Sequence, residues 1–471
     1  MTRVESIETH LPTAGKYGYY ATGDPLVYVI VVGAGEVGSN IADSLAEDHD
    51  VVVIDQDRER VEAITYSLDV LALKGDGTSL ATLEEAGVGK ADMVIASTDH
   101  DETNIVVCGT AKTVDDPFTI ARVKKTDFLD TWNRSNTAFG VDFMVCTDLH
   151  TAEAIVRIAG LPGAHDVDTF ANGLVHVAEF EVSHDSPIAG QTVYEADRFD
   201  SLTFAAIIRP GDIVVPRGDT IIQPEDNVVV IGSSESVRAF AGSLTPEPTL
   251  EQANEIVVVG GGEIGYQTAR LFEREGLSPR LIERDRDRAR DLAERLPETL
   301  VLESDATDID FLVREHVDES DIVVAALDSD EKNLLISLLA KRIGVDRTVG
   351  VVEFGEYVDL FETVGVDVAI NPRIVTAEEI TRFTRKEHTE NVAILESDRA
   401  EVLEIEVDRE SVLFGNRIMD AMEDLPNGIV IGAITRDGEL ITPRGETVVE
   451  LCDHVVVFVD TAVLEEASAA L

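Results

Sequence analysis

Basic residues are scarce in this chain. Its 471 residues carry 38 Lys and Arg against 91 Asp and Glu, a formal charge of −53. A field of that sign repels nucleic acid and anionic lipid, so no nucleic-acid partner is expected. It also destabilises a compact fold in dilute buffer. At molar salt the Debye length falls to about 3 Å and the repulsion is screened. A salt-rich cytosol is therefore the expected setting, in preference to that of an acidic mesophile protein. Cysteine is nearly absent: Cys108, Cys146 and Cys452 form no Cys-x-x-Cys. That excludes a disulfide framework and argues against a zinc site, and it fits a reducing compartment. All three stand in apolar contexts and read as small core residues. No run of about 18 apolar residues occurs, so no membrane-spanning helix is expected. Aromatics make up 5% of a chain that is 44% hydrophobic, so its cores are built of Val, Ile, Leu and Ala. Residues 1–25 lack an apolar stretch flanked as in a signal peptide. Residues 1–26 read as a disordered N-terminal extension, and native translation starting at Val27 is a further expectation.

What is present is a strand, a glycine-rich turn, a helix, a second strand and an acid. Val27–Val32 runs into Gly33-Ala34-Gly35-Glu36-Val37-Gly38, and Val51–Ile54 ends at Asp55. The glycines fit G-x-G-x-x-G. Gly33 makes the tight turn, Gly35 lets the backbone approach a pyrophosphate, and Gly38 lets the helix pack closely on the strand. The helix N-terminus offers N–H groups to phosphates. Asp55 would accept from ribose hydroxyls and repel a 2′-phosphate. Dinucleotide binding is the expected role.

Strands and helices then alternate. A charged helix spans about 57–68, strands follow at 69–73, 92–96, 118–123 and 143–146, and Asp101 and Thr103 are candidate helix caps. This is a doubly wound parallel sheet, whose ligands sit at the carboxyl ends of strands. Asp76, Thr98, Asp99 and Arg122 all fall at such ends. A helix at 149–158 and a Pro162-Gly163 elbow lead to short alternating strands at 175–181, 203–209, 213–215 and 228–231, with turns at 209–212 and 217–219. The proline-bearing polar run 244–253 reads as a linker. Then the chain repeats. Gly260-Gly261-Gly262-Glu263-Ile264-Gly265 is the second turn, Glu283 the second strand-end acid, and Asp305 the echo of Asp76. Gly33 to Gly260 and Arg217 to Arg444 are both 227 residues apart. A shared offset across two motif types means duplication of a whole unit. The organisation is α/β: two Rossmann-like sheets, each followed by a small α+β lobe. The expected parts are 27–148, 149–243, 254–372 and 373–471, with the linker between the halves.

This plan resembles the TrkA family of tandem-RCK subunits of Trk-type potassium uptake systems. The resemblance spans 27–471. It rests on the 33–38 turn, Asp101-Glu-Thr-Asn104, Ala121-Arg122, Pro162-Gly163-Ala164, Leu281-Ile-Glu-Arg-Asp285, Ala340-Lys-Arg342 and Tyr357-Val-Asp-Leu360. It implies a cytoplasmic regulatory subunit, assembled as a ring of copies on the inner face of the membrane. There it would gate a TrkH-like potassium transporter in response to nucleotide. It implies NAD(H) contacts at Gly33–Val37, Asp55, Thr98, Asp99 and Arg122, and in the second half at Gly260–Ile264 and Glu283. Aligning Asp328 with Asp99 places Leu327 opposite Thr98 and Val351 opposite Arg122, so the second site is expected to bind more weakly or differently. Related ATP-binding RCK proteins carry a cation within the glycine turn. Here Glu36 and Glu263 stand there, which favours NAD(H) over ATP or ADP. A solvated helix-terminal acid is the other reading of Glu36.

No catalytic residue and no metal site are read. None of the 8 tyrosines has Lys four residues on, the 10 histidines form no metal-ligand pattern, and no G-x-S-x-G occurs. His100, beside Asp99, reads as an exposed loop residue rather than a catalytic one. Arg217 and Arg444 lie in turns, where solvation or ion pairing is the expected state and anion contact the alternative. A regulatory subunit needs a joint that moves with ligand. The helix at 149–158 with the Pro162-Gly163 elbow, and the stretch at about 376–386, are the candidates, with ordinary linkage helix the other reading of both. The competing readings are a soluble NAD-dependent oxidoreductase and a free-standing sensor whose small lobes bind another molecule, such as a cyclic dinucleotide.

Overall fold

A computed structural model describes residues 27–46, 49–135, 138–161, 164–209, 212–244, 255–384, 391–395, 400–409, 411–436 and 438–471. The N-terminal extension, the elbow at 162–163, residues 210–211 of one turn, the linker from 245 on and residues 385–386 of the second joint lie outside these. The chain divides into two compact units, Met1–Thr147 and Asp148–Leu471.

The first unit alternates β1 (Tyr28–Val32), α1 (Glu36–Ala46), β2 (Asp50–Asp55), α2 (Arg58–Ser67), β3 (Leu71–Lys74), α3 (Leu80–Glu85), β4 (Met93–Ala96), α4 (Asp101–Ala111), β5 (Phe118–Val123), α5 (Thr126–Arg134) and β6 (Phe143–Cys146). The sheet order is β3-β2-β1-β4-β5-β6, all parallel. Helices cover both faces of such a sheet, so its central strands read as unbroken apolar runs. Ile30, Val31, Val53, Ile54, Val94 and Ile95 are fully buried. The order reverses between β1 and β4, and the crevice there opens at the strands' carboxyl ends.

The second unit begins with α6 (Thr147–Ala159), whose first residue closes the first unit. Then come β7 (Ala164–Phe170), β8 (Val175–Glu181), α7 (Val193–Ala196), β9 (Leu202–Arg209), β10 (Asp212–Val214), β11 (Asn227–Ser233) and α8 (Ser234–Leu244). The second parallel sheet follows with β12 (Ile256–Val259), α9 (Glu263–Arg274), β13 (Arg280–Glu283), α10 (Arg286–Arg295), β14 (Leu300–Glu303), α11 (Ile309–Arg314), β15 (Ile322–Ala325), α12 (Asp330–Ile343), β16 (Arg347–Val351), α13 (Val358–Thr363) and β17 (Val368–Ile370). Last are α14 (Pro372–Thr384), β18 (Asn391–Leu395), β19 (Ala400–Glu406), α15 (Ile418–Ala421), β20 (Ile429–Arg436), β21 (Glu439–Ile441), β22 (His454–Asp460) and α16 (Leu464–Ala470). The parallel sheet is β14-β13-β12-β15-β16-β17, and the antiparallel sheets are β10-β9-β11-β8-β7 and β21-β20-β22-β19-β18. The duplication is thus repeated strand by strand. The small sheets share one apolar core, from Phe170, Ile208 and Ile231 to Val402, Val456 and Phe458. The Ile231 side chain packs so close to the backbone of Gly432 that a Cβ there would lie 2.4 Å from Ile231 Cδ1.

Three expectations change. Strand β7 was not foreseen: a register shift between Ala164 and Asp166 breaks its two-residue period, and Asp168 is buried on it. Asp101 and Thr103 cap nothing. His100 holds the cap position of α4, and the Asp101 carboxylate instead accepts from Lys124 N and Lys125 N, each at 3.0 Å. Cys108 and Cys146 are buried, but Cys452 is exposed in a turn at φ +65°.

One buried cation holds the end of α6 to the second parallel sheet. Arg347, 5% exposed, donates to the carbonyls of Ile158 at 3.0 Å, Leu161 at 2.6 Å and Ala164 at 2.7 Å. A helix C-terminus leaves such carbonyls without intrahelical donors. Arg347→Met keeps the bulk and removes three charge-assisted donations, each worth about 1–3 kcal/mol, while Leu161 N and Ala164 N still reach the Ile158 and Leu161 carbonyls. The expected outcome is a loss of about 2–5 kcal/mol in the unfolding of the second unit, read by thermal and denaturant melts. An unchanged melt would mean the carbonyls find other partners.

Candidate nucleotide-binding site

The site in the first unit is assembled from the carboxyl ends of β1, β2, β4 and β5. Gly33 turns at φ +110°, and its N–H bonds Ile54 O at 2.8 Å, so the turn grows out of the β1–β2 pairing. A Cβ on Gly38 would lie 1.8 Å from Gly33 O, so only glycine lets α1 start this close to the strand. The first-turn amides of α1 have no intrahelical acceptor by construction and face the strand ends. Glu36 sits half-buried in that turn.

Asp55 fastens the turn. Its Oδ2 accepts from Ala34 N at 2.7 Å and its Oδ1 from Asp57 N at 2.8 Å. Each oxygen keeps further acceptor capacity, which is what a ribose diol requires. Asp76, after β3, accepts from Thr78 Oγ1 at 2.7 Å and Thr78 N at 3.0 Å. Those bonds hold its carboxyl below the usual range, hydroxyl first and amide second. Thr98 and Asp99 follow β4. Arg122, on β5 and 3% exposed, donates from Nε to Thr147 Oγ1 at 3.1 Å, and its Nη1 lies 3.4 Å from Asp99 Oδ1 and 3.5 Å from Ser97 O. A guanidinium is a side chain whose donors suit an anion with several acceptor oxygens. The fold therefore brings all eleven first-half candidates to one rim. His100 is exposed beside it.

The second unit repeats the frame. Gly260 turns at φ +108°, a Cβ on Gly265 would lie 1.9 Å from Gly260 O, and Glu283 accepts from Gly261 N at 2.8 Å and Asp285 N at 2.6 Å. Gly261 stands where the first turn has Ala34, and a Cβ there would meet Leu292 Cδ1 at 2.4 Å and Glu283 Oε2 at 2.7 Å. Gly262 precedes α9, and Glu263 in its first turn accepts from Gln267 Nε2 at 2.7 Å. Ile264 packs into the core. Asp305 accepts from Thr307 N and Oγ1, and those bonds, amide first, hold its carboxyl low.

Two pairs of residues were not recognised in the sequence as site builders. The first is Asn104 and Asn333, both fully buried or nearly so. Asn104 Oδ1 accepts from Thr98 N at 2.9 Å, and its Nδ2 donates to Thr98 O at 2.9 Å and Arg122 O at 2.8 Å. Asn333 makes the same three bonds, each at 2.8 Å, to Leu327 N, Leu327 O and Val351 O. These matched bonds make Leu327 the counterpart of Thr98, and Val351 that of Arg122. The signal was an asparagine in each repeat, 18 residues before Arg122 and before Val351. The second pair is Arg60 and Arg288, from α2 and α10. Arg60 Nη1 lies 3.4 Å from where a Gly35 Cβ would stand, and Arg288 Nε donates to Gly261 O. Each glycine turn therefore has a cation beside it, supplied by the next helix rather than by the turn. Among the described residues no cluster of His, Cys, Asp and Glu could hold a metal ion.

Residues 29–147 and 256–372 match the TrkA-N domain, and residues 177–244 and 402–471 match the TrkA-C domain. The Trk system potassium uptake protein TrkA homolog of Archaeoglobus fulgidus is 38% identical over 430 residues, 91% of this chain and 96% of that protein. The Trk system potassium uptake protein TrkA of Haemophilus influenzae is 30% identical over 441 residues, 91% of this chain and 95% of the other. Among solved structures, the GsuK RCK domain superposes at a TM-score of 0.58 with 18% identity, covering 96% of each chain. The GsuK channel bound to NAD gives 0.58 and 18%, covering 96% of this chain and 80% of that one. These two likenesses are of fold. No helix among the described residues is long and apolar enough to cross a membrane.

Asn104→Ala should strand the Thr98 amide and two carbonyls, with an expected loss of about 2–4 kcal/mol. The check is a melt of the full chain with hydrogen exchange at the Thr98 amide. Unchanged protection there would show that the asparagine does not set the β4 end.

Proposed function

The chain belongs to the TrkA family, and from that premise we propose that it is the NAD(H)-responsive regulatory subunit of a Trk-type potassium uptake system. The observation that carries the nucleotide reading is the Asp55 carboxylate, held by Ala34 N and Asp57 N beside an open glycine turn, with the Arg122 guanidinium at the neighbouring strand end. Amides and Arg122 suit a pyrophosphate, and Asp55 suits an unphosphorylated ribose. Arg60 offers the turn a cation, which keeps ATP or ADP as the competing ligand. Asp55 is the reason NAD(H) is placed first and NADP last. The NAD named with the GsuK channel supports the same reading at the level of fold.

The second site keeps the acid and the glycines and loses a hydroxyl and a cation at Leu327 and Val351. It is read as the weaker or altered site. The working lobes are 27–148, 149–243, 254–372 and 373–471. The partner is a TrkH-like membrane subunit, met at the inner face of the membrane by a ring of copies. The acidity is read as adaptation to a salt-rich cytosol. No proton-transfer group is assigned beside the nicotinamide position, so the dinucleotide is taken as sensed and not consumed.

Titrating the full chain with NADH at high salt tests this. NADH is expected to bind more tightly than NADPH. Asp55→Ala and Arg122→Gln are each expected to weaken the tight site about 10–100-fold, the loss of one or two charge-assisted bonds. Glu283→Ala is expected to leave that site unchanged. Equal loss from Glu283→Ala would overturn the asymmetry, and turnover of NADH by the chain alone would favour an oxidoreductase. Recovery of a multi-spanning potassium transporter with the chain from native membranes is the expected partner result.

A further inference from the structure

A cavity of about 360 Å³ opens within the second unit, between α6, β7, β8, α8 and the chain just after α9. It is remote in sequence from both glycine turns and shares no residue with either candidate site. Its volume lies in the range of small-ligand pockets. In a chain with this excess of acid, its wall carries two arginines, Arg157 on α6 and Arg238 on α8, against one carboxylate, Glu275. Arg157 Nε donates to Val167 O at 3.0 Å, and Arg238 donates from Nε to Ser234 O at 3.3 Å and from Nη2 to Ser234 Oγ at 2.5 Å, so neighbouring acceptors fix both guanidiniums. His176 lines the same cavity. Its Nδ1 is sealed from solvent and has no hydrogen-bond partner. Burial, and then the charge of Arg238, hold that imidazole below its usual range. Thr169 adds a hydroxyl, and Leu277 supplies apolar surface.

We propose that this cavity binds a small phosphomonoester, its phosphate between Arg157 and Arg238 and its organic part against Leu277. Paired guanidiniums suit a dianion with several acceptor oxygens. The volume exceeds what inorganic phosphate needs, so an organic group of sugar size is the match. Because Arg157 lies on the helix that leaves the first parallel sheet, an occupied cavity would tie α6 to α8. That consequence rests on the regulatory reading above, whereas the binding does not.

The experiment is calorimetric titration of the full chain with ribose 5-phosphate, with ribose, inorganic phosphate and succinate as parallel probes. The same titrations are run on Arg157→Gln and Arg238→Gln, and the histidine resonances are followed by NMR. Saturable ribose 5-phosphate binding, weakened at least about tenfold in each variant and perturbing the His176 resonance, is expected. Ribose is expected to give no signal and inorganic phosphate a weaker one. Equal affinity for inorganic phosphate would reduce the site to a general anion site and overturn the assignment, as would preference for succinate. So would ribose 5-phosphate binding untouched by both variants, or no binding by a chain whose melt is intact. Unaltered NADH titration in the variants separates this outcome from failure of the nucleotide reading. Loss of NADH binding by the parent chain alone would sink that reading and leave this one standing.

Discussion

A carboxylate at the end of the second strand fastens each glycine turn to the sheet that grows it. Asp55 holds Ala34 N in the first half, and Glu283 holds Gly261 N in the second. The strained turn, the start of α1 and the open strand ends all depend on that fastening. Without it the turn is a run of small residues with many conformations to lose on ordering. One side chain thus acts twice. It spends part of its acceptor capacity on the protein's own backbone and presents the rest to the crevice, already oriented.

The duplication preserved the frame and let the contents diverge. Asn104 and Asn333 make the same bonds to the ends of the fourth and fifth strands in each parallel sheet, so the backbone is held alike. Within that common frame Leu327 stands where the first half has Thr98, and Val351 where it has Arg122. At the other end of the fifth strand, Arg347 takes the register position that Phe118 holds in the first sheet. The second sheet has Val351 where the first has the Arg122 cation, and a cation at the opposite end of the strand, where it binds carbonyls at and just after the end of α6. The second sheet thus places its buried guanidinium against the end of α6 and has an aliphatic side chain where the first sheet has Arg122. Arg–carboxylate pairs repeat too. Arg209 with Asp226 and Arg436 with Asp453 close equivalent strands of the two small lobes.

Much of this was legible in the chain itself. Apolar runs of β length between helical periods specify a covered parallel sheet, since only burial on both faces tolerates them. The glycine spacing and the acid after the second strand specify where its crevice lies, because topology sends strand ends to one rim. The shared offset specified the repeat. What stayed hidden depends on geometry across elements. An aspartate at a helix start reads as a cap, yet Asp101 reaches the loop after β5 because that loop's amides happen to face it. Arg60, one of many charged residues on an acidic helix, becomes a neighbour of the glycine turn only once α2 is laid back across β2. A register shift concealed β7. The exposure of Cys452 follows from a left-handed turn that its apolar neighbours do not announce. Periodicity and spacing are properties of a line, and they determined the sheets, the turn and the duplication. Which side chains face one another across 18 or 190 residues is a property of packing. Only the tertiary structure decided that Asn104 would bind two strand ends, that Arg347 would hold α6, and that Arg157 and Arg238 would share a cavity.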